Sequence, residues 1–287
     1  MCNTAIVKGH ATMTEFLETL FNPNLPFLRN ALLAGILASI PLGLVGTHVV
    51  LRRIGYLAAA ISHSILGGIG ISIYLKHSLG WDWLHPVYGA IATAIIASFL
   101  INYIQTKAAA REDALIGAIW VTGMAIGLLC FELTPAYVDP MSYLFGNILL
   151  IGNAELVTTL VLGLIVSICL IRYHKELIAI AFDPEFTELR GIHVKHWNLL
   201  LLILTSLTIV LMVNLVGIVL VIALLTLPPA LAMHKKTSAG MLLLKSVITC
   251  MLLISFGIIL SYTTDISTGP IVIGLTGITY LMSLIRG

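Results

Sequence analysis

Long apolar stretches separated by short polar punctuation run through almost the whole chain. Runs free of Asp, Glu, Lys and Arg cover 30–51, 54–75, 83–106, 114–131, 156–171, 197–233, 246–264 and 266–285. A helix needs about 20 mostly apolar residues to cross the hydrocarbon of a bilayer, and most of these runs have the length of one crossing. Backbone amides in lipid find no water, so each run must close its hydrogen bonds within itself as a helix. The period-two alternation of a lipid-facing barrel is absent. The pattern predicts an all-α polytopic membrane protein.

The run 197–233 is long enough for two short spans, with a turn predicted at Asn214-Leu215-Val216-Gly217. Pro228 and Pro229 lie near its far end, lack an amide N–H, and are predicted to break or kink the helix there. They are candidates for a hinge or for a simple helix stop. Residues 140–154 are apolar but short and are interrupted by Gly146 and Asn147, which reads as an interfacial or re-entrant piece. The total is eight or nine spans, nine if 197–233 crosses twice.

Basic residues between spans orient the chain, because lysine and arginine accumulate on the cytoplasmic side. With the N-terminus outside and nine alternating crossings, the inside segments hold Arg52, Arg53, Lys107, Arg111, Arg172, Lys175, Arg190, Lys195, Lys235, Lys236, Lys245 and Arg286. Only Lys8, Arg29 and Lys76 fall outside. The C-terminus is then cytoplasmic, and a cell (inner) membrane is the expected home. Residues 1–26 form an N-terminal, outer-face extension. Lys8, His10, Glu15 and Glu18 break up any signal-like apolar core there, so the first span is expected to direct insertion. Residues 27–287 make the membrane domain.

Composition sharpens this picture by exclusion. Of 287 residues, 59% are hydrophobic and only 10% are charged, against about 25% charged in ordinary soluble domains. A soluble enzyme, a disordered chain and a nucleic-acid binder are all excluded. The net charge of +2 points to no acidic partner. Cys2, Cys130, Cys169 and Cys250 stand singly, and the last three lie in apolar runs where a thiol behaves as a small hydrophobe. No GxxxxGK[ST] phosphate loop occurs, and neither HExxH nor GxSxG is present. Glu132 and Glu155 sit near span ends, so no relay of ionisable groups runs through the bundle. A transporter built this way must take its energy from another chain.

The one ionisable side chain well inside a span is His63, with His48 near the inner end of the first span. Neutral imidazole is a common ligand for transition metals, although a hydrogen bond to a neighbouring helix would also account for His63. An intramembrane enzyme built on His63 and His48 would need a further polar partner, and none stands out. Between spans, the longest inside loop, 172–196, contains Asp183-Pro184-Glu185-Phe186. That order of N-cap, first-turn proline and acidic residue predicts a short helix from near Asp183 to near Gly191.

Six blocks in order then carry a resemblance: RRIGYLAAAISHSILGGIGISIYL, REDALIGAIWVTGMAIGL, SYLFGNILL, FDPEFTELRGI, VGIVLVIALLTLPPALA and ISTGPIVIGL. From about residue 25 onward the chain resembles the ABC-3 family, the membrane permeases of ABC-type zinc, manganese and iron importers. The resemblance implies a type II importer-like homodimeric bundle. Its expected partners are a separate cytoplasmic ATPase and an extracytoplasmic metal-binding protein, with lipid around the bundle and no nucleic acid. It implies that Asp183, Pro184, Glu185, Phe186, Arg190 and Gly191 belong to the helix that engages the ATPase, with Phe186 as its apolar knob or else packed down on the bundle. It also implies transient metal coordination by His63, with no permanently bound cofactor and no enzymatic activity of the chain's own.

Family members commonly carry an aspartate one turn before that histidine, where this chain has Ala59. Carboxylate oxygen suits manganese whereas imidazole suits zinc, so zinc is the expected cargo, with manganese and iron open. A permease for a chelate such as a siderophore or cobalamin is the alternative. Gly67, Gly68 and Gly70, with Ser62 and Ser64, are expected to allow a close helix crossing at the dimer axis. Thr268-Gly269-Pro270 is expected to open the last span.

Overall fold

The computed structural model describes residues 27–107, 111–146, 148, 151–233 and 238–286, with Glu18 and Leu20. The reading of 1–26 as an extension therefore lies outside the described residues. Twelve helices follow one another among those described: α1 Phe27–Leu51, α2 Gly55–Leu79, α3 Pro86–Lys107, α4 Glu112–Leu133, α5 Pro140–Phe145, α6 Asn153–Arg172, α7 His174–Phe182, α8 Pro184–Leu189, α9 Val194–Val216, α10 Ile218–Ala232, α11 Ala239–Thr264 and α12 Thr268–Arg286. No strand occurs among the described residues.

Eight of the helices are long and apolar enough to cross a membrane. The ninth, α10, has 15 residues, about 22 Å of helix against a hydrocarbon thickness of about 30 Å. The expected turn is what separates it from α9. Gly217 has φ 81° and ψ 164°, a backbone that a side chain would strain. Any Cβ on it would also lie 2.5 Å from Gly146 N and Phe145 C. The segment after α5 thus dips in to meet the α9–α10 turn. Gly269, at the start of α12, touches the same segment, since its Cβ would sit 2.5 Å from Phe145 O. The expected re-entrant piece and the expected start of the last span turn out to be one junction.

Helix ends sort into two layers. At the end carrying most of the arginines and lysines, Arg52 Nη1 donates to Asn198 Oδ1 at 2.6 Å and Asn198 Nδ2 donates to Gln105 Oε1 at 2.8 Å. Gln105 Nε2 and Tyr56 OH both donate to Glu112 Oε1, at 3.0 and 2.7 Å. One polar network therefore ties the end of α1, the start of α2, the end of α3, the start of α4 and the start of α9. At the opposite end Asn30 Nδ2 donates to Asn153 Oδ1 at 3.1 Å, joining the starts of α1 and α6.

Helices α1 and α2 are buried over most of their length, while α4, α6 and α12 turn most of their surface outward. Outward side chains such as Val121, Ile168 and Leu281 are 60–65% exposed, an inside-out pattern only lipid tolerates. Small residues set the spacing. Gly123 on α4 lies where a Cβ would come 2.6 Å from the Ser64 backbone of α2, and Gly70 packs on Gly127 with a Cβ distance of 2.6 Å to its carbonyl. Gly68 faces the α3 backbone at Gly89. Gly67, Gly68 and Gly70 are thus spent on packing α2 against α3 and α4 of the same chain, which corrects the expectation that they mark a dimer axis.

Candidate functional site

His63 sits near the middle of α2, a helix that starts at Gly55 without a side-chain cap and ends at Gly80 in the left-handed region. Its Nδ1 lies 2.9 Å from Ala59 O, one turn back. A carbonyl only accepts, so the neutral ring carries its proton on Nδ1 and a lone pair on Nε2. Ala59 contributes a backbone oxygen to this arrangement and no carboxylate. The ring lies over Trp120 of α4, with centroids 4.6 Å apart and planes inclined by 32°. His63 is half-buried between buried Ser62 and Ser64, whose hydroxyls are turned back to Ala58 O and Ala60 O at 2.8 Å. Among the described residues no three His, Cys, Asp or Glu side chains converge to hold an ion. His63 thus presents one imidazole nitrogen, Nε2, beside an indole face.

Trp120 was not among the residues singled out from the sequence. Nothing in its local pattern marks it, because the contact depends on the α2–α4 crossing that Gly67, Gly70, Gly123 and Gly127 allow.

At the basic end, α7 and α8 replace what reads in sequence as a connector with one helix. Asp183 caps α8 as expected: its side chain accepts from Phe186 N at 2.9 Å, and Pro184 occupies the first turn. Gly191, with φ 83°, ends the turn. Thr187 is the buried anchor, and Phe186 points outward, 56% exposed, with the Arg190 guanidinium 5.6 Å from its ring centre. The two readings of Phe186 are thereby separated, since the ring does not pack down on the bundle. Glu185 and Glu188 are exposed beside it. Two apolar neighbours escaped the sequence reading: Phe182 is 73% and Leu189 87% exposed. Helix α7 was missed as well, although Leu177 and Ile180, three apart and both buried, carry a helical signal.

Pro228 and Pro229 lie inside α10, three residues from its end at Ala232. Each proline leaves a carbonyl one turn earlier without its helical donor. The Cys250 thiol takes up Leu224 O at 3.6 Å, and Leu225 O is met by the Gly46 backbone of α1, where a Cβ could not be placed. The helix runs through the prolines to its stop, and Cys250 is a fully buried core residue with this one weak polar contact.

A further cavity of about 600 Å3 opens between α3, α6 and α9 at the opposite end, lined by His85, Tyr88, Glu155, Thr158, Leu211 and Leu215. Neither His63 nor α8 borders it.

Residues 24–287 match the ABC 3 transport family. The chain belongs to that family. A protein of Chlamydia muridarum named a probable metal transport system membrane protein is 36% identical over 95% of this chain and 92% of its own. The manganese import system permease protein ScaB of Streptococcus parasanguinis is 29% identical over 94% of each chain. Among solved structures, PsaBC from Streptococcus pneumoniae in complex with Fab aligns with a TM-score of 0.83 at 26% identity, covering 95% of both chains. An ABC transporter described as of the metal-chelate type, in an inward-facing conformation, aligns with a TM-score of 0.67 at 16% identity and shares the fold. The chain is accordingly a multi-pass permease of a metal ABC transport system and is not an enzyme. Relatives such as ScaB of Streptococcus parasanguinis and MntC of Halalkalibacterium halodurans carry manganese in their names, and these names do not support the expectation of zinc.

Proposed function

We propose that the chain forms the gated path of an ATP-driven importer for a divalent transition-metal ion, acting as a homodimer. The observation that carries this is the capped, outward-facing α8 turn on a bundle with no nucleotide motif of its own. Phe182, Phe186 and Leu189 are exposed apolar side chains on or next to α8, interspersed with exposed Glu185, Glu188 and Arg190, a mix suited to a docking surface with an apolar centre and a polar edge. An ATPase seated there moves α8 and the helices joined to it. The basic end is cytoplasmic, which puts the N-terminus and the α5 junction outside, where a metal-binding protein delivers the ion.

His63 Nε2 takes the ion briefly on its way through. A lone site with a single protein ligand binds weakly, and a conduit must release what it binds. Imidazole without a carboxylate favours zinc over manganese. The relatives' names support manganese as a second reading. Pro228 and Pro229 supply the compliant end of α10, because they leave the Leu224 and Leu225 carbonyls without helical amide donors, and the Cys250 thiol meets Leu224 O instead.

Cells carrying or lacking this chain, assayed for zinc, manganese and iron content, test the reading. Loss of one metal's accumulation on deletion, and a partial loss with His63→Ala, are expected. Unchanged content of all three metals on deletion would overturn it.

A further inference from the structure

His48 lies on α1, 15 residues before His63, and is fully buried. Its Nδ1 is 3.0 Å from Leu44 O, which fixes the proton on Nδ1 and turns Nε2, with its lone pair, away from its own helix. That Nε2 has no hydrogen-bond partner. Across from it stands His174, the first residue of α7, half-buried, whose Nδ1 is also buried and unpartnered. The ring centroids are 5.7 Å apart and the planes are inclined by 81°. Buried polar atoms in native proteins nearly always find a partner, so two orphans on facing rings require an explanation.

The spacing suggests one. A zinc–imidazole bond of about 2.1 Å with tetrahedral angles puts the centroids of two imidazoles on one ion about 5 Å apart, close to the distance here. Two basic side chains border the pair: Arg52, one turn beyond His48, acts electrostatically on that ring while its Nη1 donates to Asn198 Oδ1 at 2.6 Å, and Lys175 next to His174 is exposed. No third His, Cys, Asp or Glu joins the pair, so water or hydroxide would complete the coordination.

We infer that His48 Nε2 and His174 Nδ1 form a second site for a borderline divalent cation of the zinc, cobalt or nickel class, at the basic end of the bundle and separate from His63. An ion there staples α1 to α7, the helix that leads through Asp183 into the α8 turn. The site couples ion occupancy at that end to the mobility of the docking surface. Its existence does not require the transport reading, since binding to the isolated chain is enough to reveal it.

Cobalt, with its visible ligand-field bands, is the probe: Co2+ is titrated into the full chain in lipid nanodiscs, in a His63→Ala background with any affinity tag removed. His48→Asn keeps a donor for Leu44 O while deleting Nε2, and His174→Asn removes the other ligand. His193→Asn is the control, because His193 and His196 form an exposed pair with centroids 5.6 Å apart. The expected result is a tetrahedral Co2+ spectrum and a rise in Tm with the ion, both lost in His48→Asn and in His174→Asn and both kept in His193→Asn. An undiminished spectrum in the two buried variants, a loss only with His193→Asn, or no binding at all (as when a water joins the two rings) would overturn the proposal. Because the His63→Ala chain need not transport, these outcomes are independent of those that decide the importer reading.

Discussion

Replacing Phe186 by alanine should weaken docking of the ATPase while leaving the permease folded. A phenylalanine offers about 200 Å2 of surface, and 56% of Phe186 is exposed in the isolated chain. Burying that share against a partner stabilises the complex by at most about 3 kcal/mol at 25 cal/mol per Å2, or roughly 100-fold in Kd. Ordering costs at the interface lower the measured figure. The ring contributes almost nothing to the permease's own core, so the Tm of Phe186→Ala should stay at the wild-type value. Asp183→Ala acts differently: it removes the acceptor for Phe186 N at 2.9 Å and costs about 1 kcal/mol of helix stability, disordering the knob rather than deleting it. Asp183→Asn keeps the cap and should dock as wild type. Binding of the ATPase to nanodisc-held permease reads all three. An unchanged Kd for Phe186→Ala, with Asp183→Ala equally silent, would refute α8 as the docking element.

Other outcomes follow from the packing. Gly123→Ala should destabilise the chain by about 1–3 kcal/mol, because the new methyl meets the Ser64 backbone; thermal unfolding in detergent checks this. Gly117, with nothing within 4 Å of a Cβ, should accept alanine with no loss of Tm. Pro228→Ala returns a donor to Leu224 O and should raise Tm while slowing uptake; faster uptake would argue against a compliant α10. Glu112→Gln removes the charge that Tyr56 and Gln105 share and should lower Tm by loosening the α2–α3–α4 contact at the basic end, as double variants with Tyr56→Phe would show by non-additivity.

What the sequence discloses and what it hides divide along physical lines. Spans were legible because lipid demands about 20 apolar residues per crossing, and the turn at Gly217 was legible because Asn and Gly punctuate an overlong run. The α8 helix announced itself through Asp183 and Pro184, whose preferences are local. Properties that depend on which helix lies next to which were not legible. Gly67, Gly68 and Gly70 read as small residues in any apolar helix, and only the fold shows that α3 and α4 take them up. Trp120 beside His63, the thiol of Cys250 on the carbonyl freed by Pro228, and His48 opposite His174 all join residues far apart in sequence. Helix α7 was hidden by its charged beginning, which reads as loop.

Uptake into proteoliposomes tests the central claim most directly. With the permease reconstituted alone, or with its ATPase partner and metal-binding protein, and ATP supplied on the side of the basic end, divalent metal should enter only when partner and nucleotide are both present. Metal entry with the permease alone, or ATP hydrolysis by the purified chain, would contradict a passage that draws its energy from another protein.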